Sequence, residues 1–138
     1  SIDYGKNNKD FYANALHDAF VNNYGYIHKR SIYIDKDNNN FIGTDELIPK
    51  NNSAAFNFAI RFHLYPGLDA AKTIGGDSIL IKVKKNQSLI FIAKDQSINV
   101  EKSIFLARNK ILSNLCITIA GSLMGEKKTI DWEFRKNI

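Results

Sequence analysis

Three histidines are the side chains in this chain best suited to chemistry, and two of them have charged neighbours. His17 is followed by Asp18, and His28 lies two residues before Arg30. An imidazole next to a carboxylate or a guanidinium can carry a proton or hold an anion. Spacing alone makes neither His17 nor His28 a metal ligand. No HExxH, paired-Cys, P-loop or GxSxG motif is present. Cys116 stands alone, which excludes an internal disulfide and a thiolate metal cluster. No residue of the chain is therefore assigned as catalytic or as metal-binding.

The third histidine belongs to a longer pattern. Over residues 55–65, Phe56, Phe58, Ile60, Phe62 and Leu64 alternate with Asn57, Ala59, Arg61, His63 and Tyr65. A period of two predicts a strand with one face on a core and the other wetter. The wetter face sets His63 between Arg61 and Tyr65. Arg is suited to a sugar carboxylate or sulfate, and Tyr to stacking on a sugar ring. A hydrogen-bonded structural histidine on a half-exposed face explains the same residue.

Residues 35–46 resemble a calcium loop. Asp35, Asp37, Asn39 and Glu46 fall at its first, third, fifth and twelfth places, with Ile42 at the eighth. The turn-forming glycine is replaced by Asn40, the preceding Ser31-Ile32-Tyr33-Ile34 reads as β, and Pro49 bars an exiting helix. A hairpin whose turn is Asp37-Asn38-Asn39-Asn40 accounts for the run through turn chemistry.

These side chains must be positioned by strands. Pro66-Gly67 ends the 55–65 segment as a turn. Residues 78–83 and 88–93 form a hairpin around Lys84-Lys85-Asn86-Gln87. Residues 98–106 and 112–120 form another around Ala107-Arg108-Asn109-Lys110. In 130–135, Ile130, Trp132 and Phe134 point one way while Asp131, Glu133 and Arg135 point the other. Many short strands and no strong long helix predict an all-β fold, an antiparallel β-sandwich. Residues 35–40 and 49–53 read as loops. Residues 10–23 fit two patterns. One is an amphipathic helix with Asp10 as N-cap, Ala13, Leu16, Phe20 and Tyr24 on one side and Gly25 as stop. The other is a strand followed by a loop.

Composition sets the outer limits. With 138 residues, 44% hydrophobic and 24% charged, the chain is expected to be one domain with a real core. No run approaches the roughly 18 apolar residues of a membrane span. Ser1-Ile2-Asp3-Tyr4 shows neither an initiator Met nor a signal-peptide layout, so a fragment or processed product is expected. The net charge is +5, and its surplus lies wholly in residues 51–138, where thirteen Lys/Arg face seven Asp/Glu. Such a surplus suits a polyanion: nucleic acid, anionic lipid or acidic polysaccharide. A nucleic-acid binder needs exposed aromatics interleaved with basic residues, yet Phe56, Phe58, Phe62, Phe91 and Phe134 lie on apolar faces. Neither nucleic acid nor membrane is expected as a partner.

The order of several segments resembles the C-terminal region of the heparinase II/III-like family. His17-Asp18-Ala19-Phe20 resembles the family's His-Asp-Gly-Tyr, and His28-Lys29-Arg30-Ser31-Ile32 its His-x-Arg segment. Phe41-Ile42-Gly43-Thr44-Asp45-Glu46-Leu47 resembles its hairpin ending in Leu-x-Gly-x-Asp-x-Leu. Arg61-Phe62-His63-Leu64-Tyr65-Pro66-Gly67 resembles its Arg-Phe-His-Leu-His-Pro-Gly. Glu101-Lys102-Ser103-Ile104-Phe105 and Trp132-Glu133-Phe134-Arg135 resemble the closing segments. Ala19 and Phe20 depart from Gly and Tyr, Tyr65 from His, and Cys116 from Gln.

The resemblance implies that the segment around His17 is extended, so a strand is expected there. It implies that residues 1–138 are the latter part of the C-terminal β-sandwich of a larger protein, partnered by an N-terminal helical toroid of the same protein. The substrate groove would lie between the two. Family members cleave acidic polysaccharide by β-elimination. Their Tyr and Asn sit mainly in the toroid, and a His and a structural zinc site lie upstream of Ser1. No cofactor is then expected on this chain, and zinc only in the parent. The parent's expected location is periplasmic or secreted, as in the characterised lyases. The candidate substrate-binding or supporting positions are His17, His28, Arg30, Arg61 and His63. The alternative reading is a non-catalytic β-sandwich that binds carbohydrate or protein.

Overall fold

The structure, a computed structural model, describes residues 1–6, 10–50 and 55–137. Among them the chain runs β1 (Ile2–Lys6), β2 (Phe11–His17), α1 (Val21–Tyr24), β3 (Tyr26–Asp35), β4 (Asn40–Pro49), β5 (Phe56–His63) and β6 (Asp69–Lys72). It continues through β7 (Ser78–Lys84), β8 (Gln87–Ile92), β9 (Ser97–Ala107), β10 (Lys110–Leu123) and β11 (Lys128–Asn137). The chain divides into two compact units: Ser1–Phe58 with Ser122–Arg135, and Ala59–Gly121 with the last residues.

In the first unit the strand order is β1-β2-β3-β4-β11, with each pair antiparallel. The register builds rows across the sheet. Ala15, Arg30, Asp45 and Ile130 form one row, and Ala13, Ile32, Gly43 and Trp132 the next. Ile130 is wholly buried and Trp132 is 2% exposed. Burying a large apolar side chain stabilises by about 1.5–3 kcal/mol. Trp132 packs against Phe41 and Phe134, with ring centroids 5.6 and 5.9 Å away. Its indole lies directly over Gly43, where a Cβ would overlap the ring. Only glycine lets the strand pass under that ring.

In the second unit β6-β7-β8 and β5-β10-β9 lie side by side in those orders. The hydrophobic core here includes Ile60, Leu64, Ile79, Ile81, Phe91, Ile98, Ile117 and Ile119, all buried. The alternation read from residues 55–65 is realised. Ile60 and Leu64 are buried and Phe56, Phe58 and Phe62 half-buried, while Arg61, His63 and Tyr65 are exposed. Pro66 and Gly67 make a turn closed by Leu68 N–H donating to the Tyr65 carbonyl at 3.2 Å, with Gly67 at φ 90°. That φ requires glycine at the third turn position.

The structure differs from the local pattern in three places. Residues 11–17 form a strand, as the resemblance implies and against the helical pattern. Pairing with β1 on one side and β3 on the other outweighs weak helix propensity. Helix remains only as the single turn α1, stopped by Gly25 in the left-handed region. Asp10 caps no helix; its carboxylate accepts the Tyr33 hydroxyl at 2.6 Å. That bond pushes the Tyr33 phenol up to about 12. The β3–β4 turn occupies residues 36–39, one residue earlier than the local pattern suggested, and Asn40 already pairs with Asp35. Asn39 takes φ 54°, a conformation Asn tolerates. Pro49 ends β4 and is not part of a loop; the rest of the loop expected at 49–53 lies, from residue 51, outside the described residues. Strands β1 and β6 were not foreseen.

Candidate functional site

Three of the five candidate residues converge in the first unit, and what joins them is Asp45. His17 and His28 are opposite each other in the β2–β3 register, and Arg30 is opposite Asp45 in the β3–β4 register. Even spacing along β3 puts His28 and Arg30 on the same face, so both reach Asp45 on β4. His28 Nε2 bonds Asp45 Oδ1 at 2.6 Å, and Arg30 Nε donates to the same oxygen at 2.8 Å. Asp45 Oδ2 accepts from Arg30 Nη2 at 3.0 Å and from Trp132 Nε1 at 2.7 Å. The Arg30 guanidinium also lies 5.6 Å from the centroid of the Trp132 ring.

Asp45 is wholly buried. Burial, the largest single influence, pushes its carboxyl up. The hydrogen bonds from His28 and Arg30, the Arg30 charge and the Trp132 N–H outweigh it and hold the group below the usual carboxylate range. Four donors meet the four lone-pair positions of one carboxylate. Asp45 is thus saturated and offers nothing further to a ligand.

The donors propagate outward. Asp45 only accepts, so His28 Nε2 carries a proton. His28 Nδ1 and His17 Nε2 then share one proton across 2.9 Å. His17 is exposed and meets the Phe20 ring edge-on, with centroids 5.1 Å apart. Chemically, the arrangement locks the His28 tautomer and ties β2, β3, β4 and β11 together through one buried anion.

The calcium-like run is resolved differently. The Asp35 carboxylate accepts the Asn38 backbone N–H at 3.1 Å and its Nδ2 at 2.7 Å, which holds the acid below its ordinary range. Glu46, at the twelfth place, pairs with Lys127 at 2.6 Å and Lys29 at 3.0 Å. The two carboxylates serve the turn and the sheet surface. Among the described residues no three His, Cys, Asp or Glu side chains are arranged to hold a metal.

Arg61 and His63 lie in the second unit, on the exposed face of β5. His63 Nδ1 and the Ser103 hydroxyl share a hydrogen bond at 3.2 Å. Tyr65, 70% exposed, meets Phe105 edge-on with centroids 5.7 Å apart. Beneath them on β10 lie Asn114, Cys116 and Thr118, all buried. Asn114 Nδ2 donates to the Leu64 carbonyl at 2.8 Å. Burial pushes the Cys116 thiol up, which leaves it an inert packing group.

Sequence reasoning missed Asp45 and the indole N–H. The signal was present. A hairpin closed at Asp35 and Asn40 necessarily sets Arg30 against Asp45. A turn placed one residue later sets Arg30 against Leu47 and hides the ion pair. Trp132 was placed correctly on the apolar face; a buried indole N–H calls for a buried acceptor.

The sequence model of the family Heparinase II/III-like, C-terminal matches residues 4–133. No curated protein matches the chain. Among solved structures, the heparan sulfate lyase HepC from Pedobacter heparinus superposes with TM-score 0.80 at 12% identity, over 97% of this chain and 21% of that one. A heparinase III gene product gives 0.76 at 11% identity, over 97% and 20%. A further heparinase III structure gives 0.71 at 12%, over 99% and 21%. The chain thus spans about a fifth of the length of these solved chains. At such identities the likeness is one of fold, the antiparallel β-sandwich expected from the sequence.

Proposed function

As the chain belongs to the heparinase II/III-like family, matching its C-terminal region over nearly its whole length, we propose that it serves as one β-sandwich domain of a larger polysaccharide lyase. The family match is the observation that carries this reading. The parent's substrate is an acidic polysaccharide containing uronate, of the heparan or alginate kind. The reaction is β-elimination. A base takes the proton from the carbon bearing the carboxylate, a neutralising group stabilises the enolate-like charge, and an acid protonates the departing oxygen. No group of this chain is assigned to those three tasks. They fall to the rest of the parent, including the helical toroid that the family resemblance implies, as does the zinc site.

The chain's own part is to support and line the groove. His17, His28 and Arg30 act in support, since each is committed directly or through His28 to a saturated buried carboxylate. Arg61 and His63 act in lining, since both are exposed. The test is incubation of parent and isolated chain with heparan sulfate, alginate and hyaluronan. Unsaturated-uronate absorbance is expected from the parent and not from the chain alone. Saturable binding by the parent without any unsaturated product would replace this reading with a non-catalytic carbohydrate-binding sandwich. Product formed by the isolated chain would refute the assignment of catalysis elsewhere.

A further inference from the structure

His17 and His28 are direct partners in the β2–β3 register. Their ring nitrogens, His17 Nε2 and His28 Nδ1, approach to 2.9 Å, with the ring planes 84° apart. Each ring is also held from a second side. His28 Nε2 donates to Asp45, which is wholly buried, at 2.6 Å. The Phe20 ring meets His17 edge-on. A carboxylate on the far nitrogen of an imidazole fixes its tautomer and raises the basicity of the near one, which is how metal-ligating histidines are commonly supported. Beneath the pair the Asp45 and Arg30 charges offset each other.

The spacing suits one metal ion. Imidazole nitrogens bind zinc at about 2.0–2.1 Å, so two of them on one ion stand about 2.9 Å apart at a right angle and about 3.3 Å apart at the tetrahedral angle. The ion lies to one side of the line joining the nitrogens, so one ring must turn. Asp45 fixes His28. His17 is exposed, and a swing of its ring tip by about 2 Å brings both lone pairs to one point.

We propose that His17 and His28 form a two-imidazole site for a late first-row divalent metal ion, of the copper, nickel or zinc kind, with water in the remaining positions. Coordination exchanges the shared proton for the ion and draws on no spare hydrogen bond. His28 keeps its Nε2 proton on Asp45. The proton on His17 leaves Nε2 and is carried on Nδ1, so two neutral imidazoles take up the ion without net proton release. Among the described residues no third His, Cys, Asp or Glu completes the group. Affinity is therefore moderate, and the open positions can accept an outside donor. The bound ion ties β2 to β3. Nitrogen donors rank copper above nickel and zinc, and exclude calcium and magnesium, which need oxygen.

The test titrates the 138-residue chain with nickel, zinc and magnesium chlorides by calorimetry in a non-coordinating buffer. One nickel or zinc ion per chain is expected, and no magnesium. Saturating nickel should raise the urea midpoint, since the ion binds the folded pair. His17→Gln, at an exposed position, is expected to weaken nickel binding about a hundredfold by removing one of two linked ligands. His63→Gln is expected to leave it unchanged. Nitrogen-15 imidazole spectra of the unsubstituted chain should show zinc shifting His17 and His28 and not His63. No saturable uptake at about millimolar nickel overturns the proposal. So does binding indifferent to His17→Gln, an equal loss on His63→Gln, or zinc that leaves the His17 and His28 resonances in place. None of these outcomes bears on the lyase reading, which is scored on the parent.

Discussion

One polar cluster in each unit shows the contrast: the first is closed on itself and the second stands open to solvent. In the first, Asp45 is wholly buried and every one of its acceptor positions is filled by His28, Arg30 or Trp132. In the second, Arg61, Glu101 and Tyr65 stand exposed. A network whose hydrogen bonds are all internal resists change and has no capacity left for a ligand. A surface with open donors and acceptors contributes little to folding and keeps that capacity. The two clusters thus differ in how much hydrogen-bonding capacity they leave open.

Substitutions can break this contrast, and the largest effect is expected at Asp45. Asp45→Ala leaves Arg30 without its counter-charge and two further donors unmet. It should destabilise the chain by about 3–5 kcal/mol, read as a lower urea midpoint. If the loss is under about 1 kcal/mol, the network is not the pillar described.

Acid should act through the same group. The folded state holds the Asp45 carboxyl below its ordinary value of 3.8. Its stabilising contribution is therefore full above that value and is lost as pH falls below it toward the lower folded value. Urea midpoints measured from pH 6 downward should fall more steeply for the unsubstituted chain than for Asp45→Asn in this acid range.

A smaller change is expected from Trp132→Phe, which keeps a ring over Gly43 and removes one donor to Asp45. About 1–2 kcal/mol should be lost, visible as a lower thermal midpoint. The smallest effects should come from the second unit. Arg61→Gln and His63→Gln, both exposed, should each shift stability by less than about 0.5 kcal/mol. A cost at Arg61 comparable to that at Trp132 would erase the distinction between the two regions.

Much of this was legible in the residues. The alternation of Phe56 through Leu64 gave both faces of β5, including the exposure of Arg61, His63 and Tyr65. The two later hairpins also fell where their polar loops indicated, though their turns are tighter: Lys85-Asn86 and Arg108-Asn109. Period-two patterning reports burial directly, because each strand residue faces one side or the other. Residues 10–23 were not legible locally. Ala13, Leu16, Phe20 and Tyr24 fit a helix as well as a strand, and only the neighbours β1 and β3 settle the matter.

Residue types and their order thus determined an all-β chain, its hairpins around residues 36–39, 85–86 and 108–109, the faces of β5 and β11, and the family. They also marked the histidines and arginines worth watching. Which of those polar groups are spent and which stay open was decided by tertiary structure. It brings Arg30 to Asp45 and the Trp132 indole to the same carboxylate, from positions far apart in the chain. A hydrogen bond needs its partners within a few tenths of an ångström, and no local pattern carries that information across strands distant in sequence.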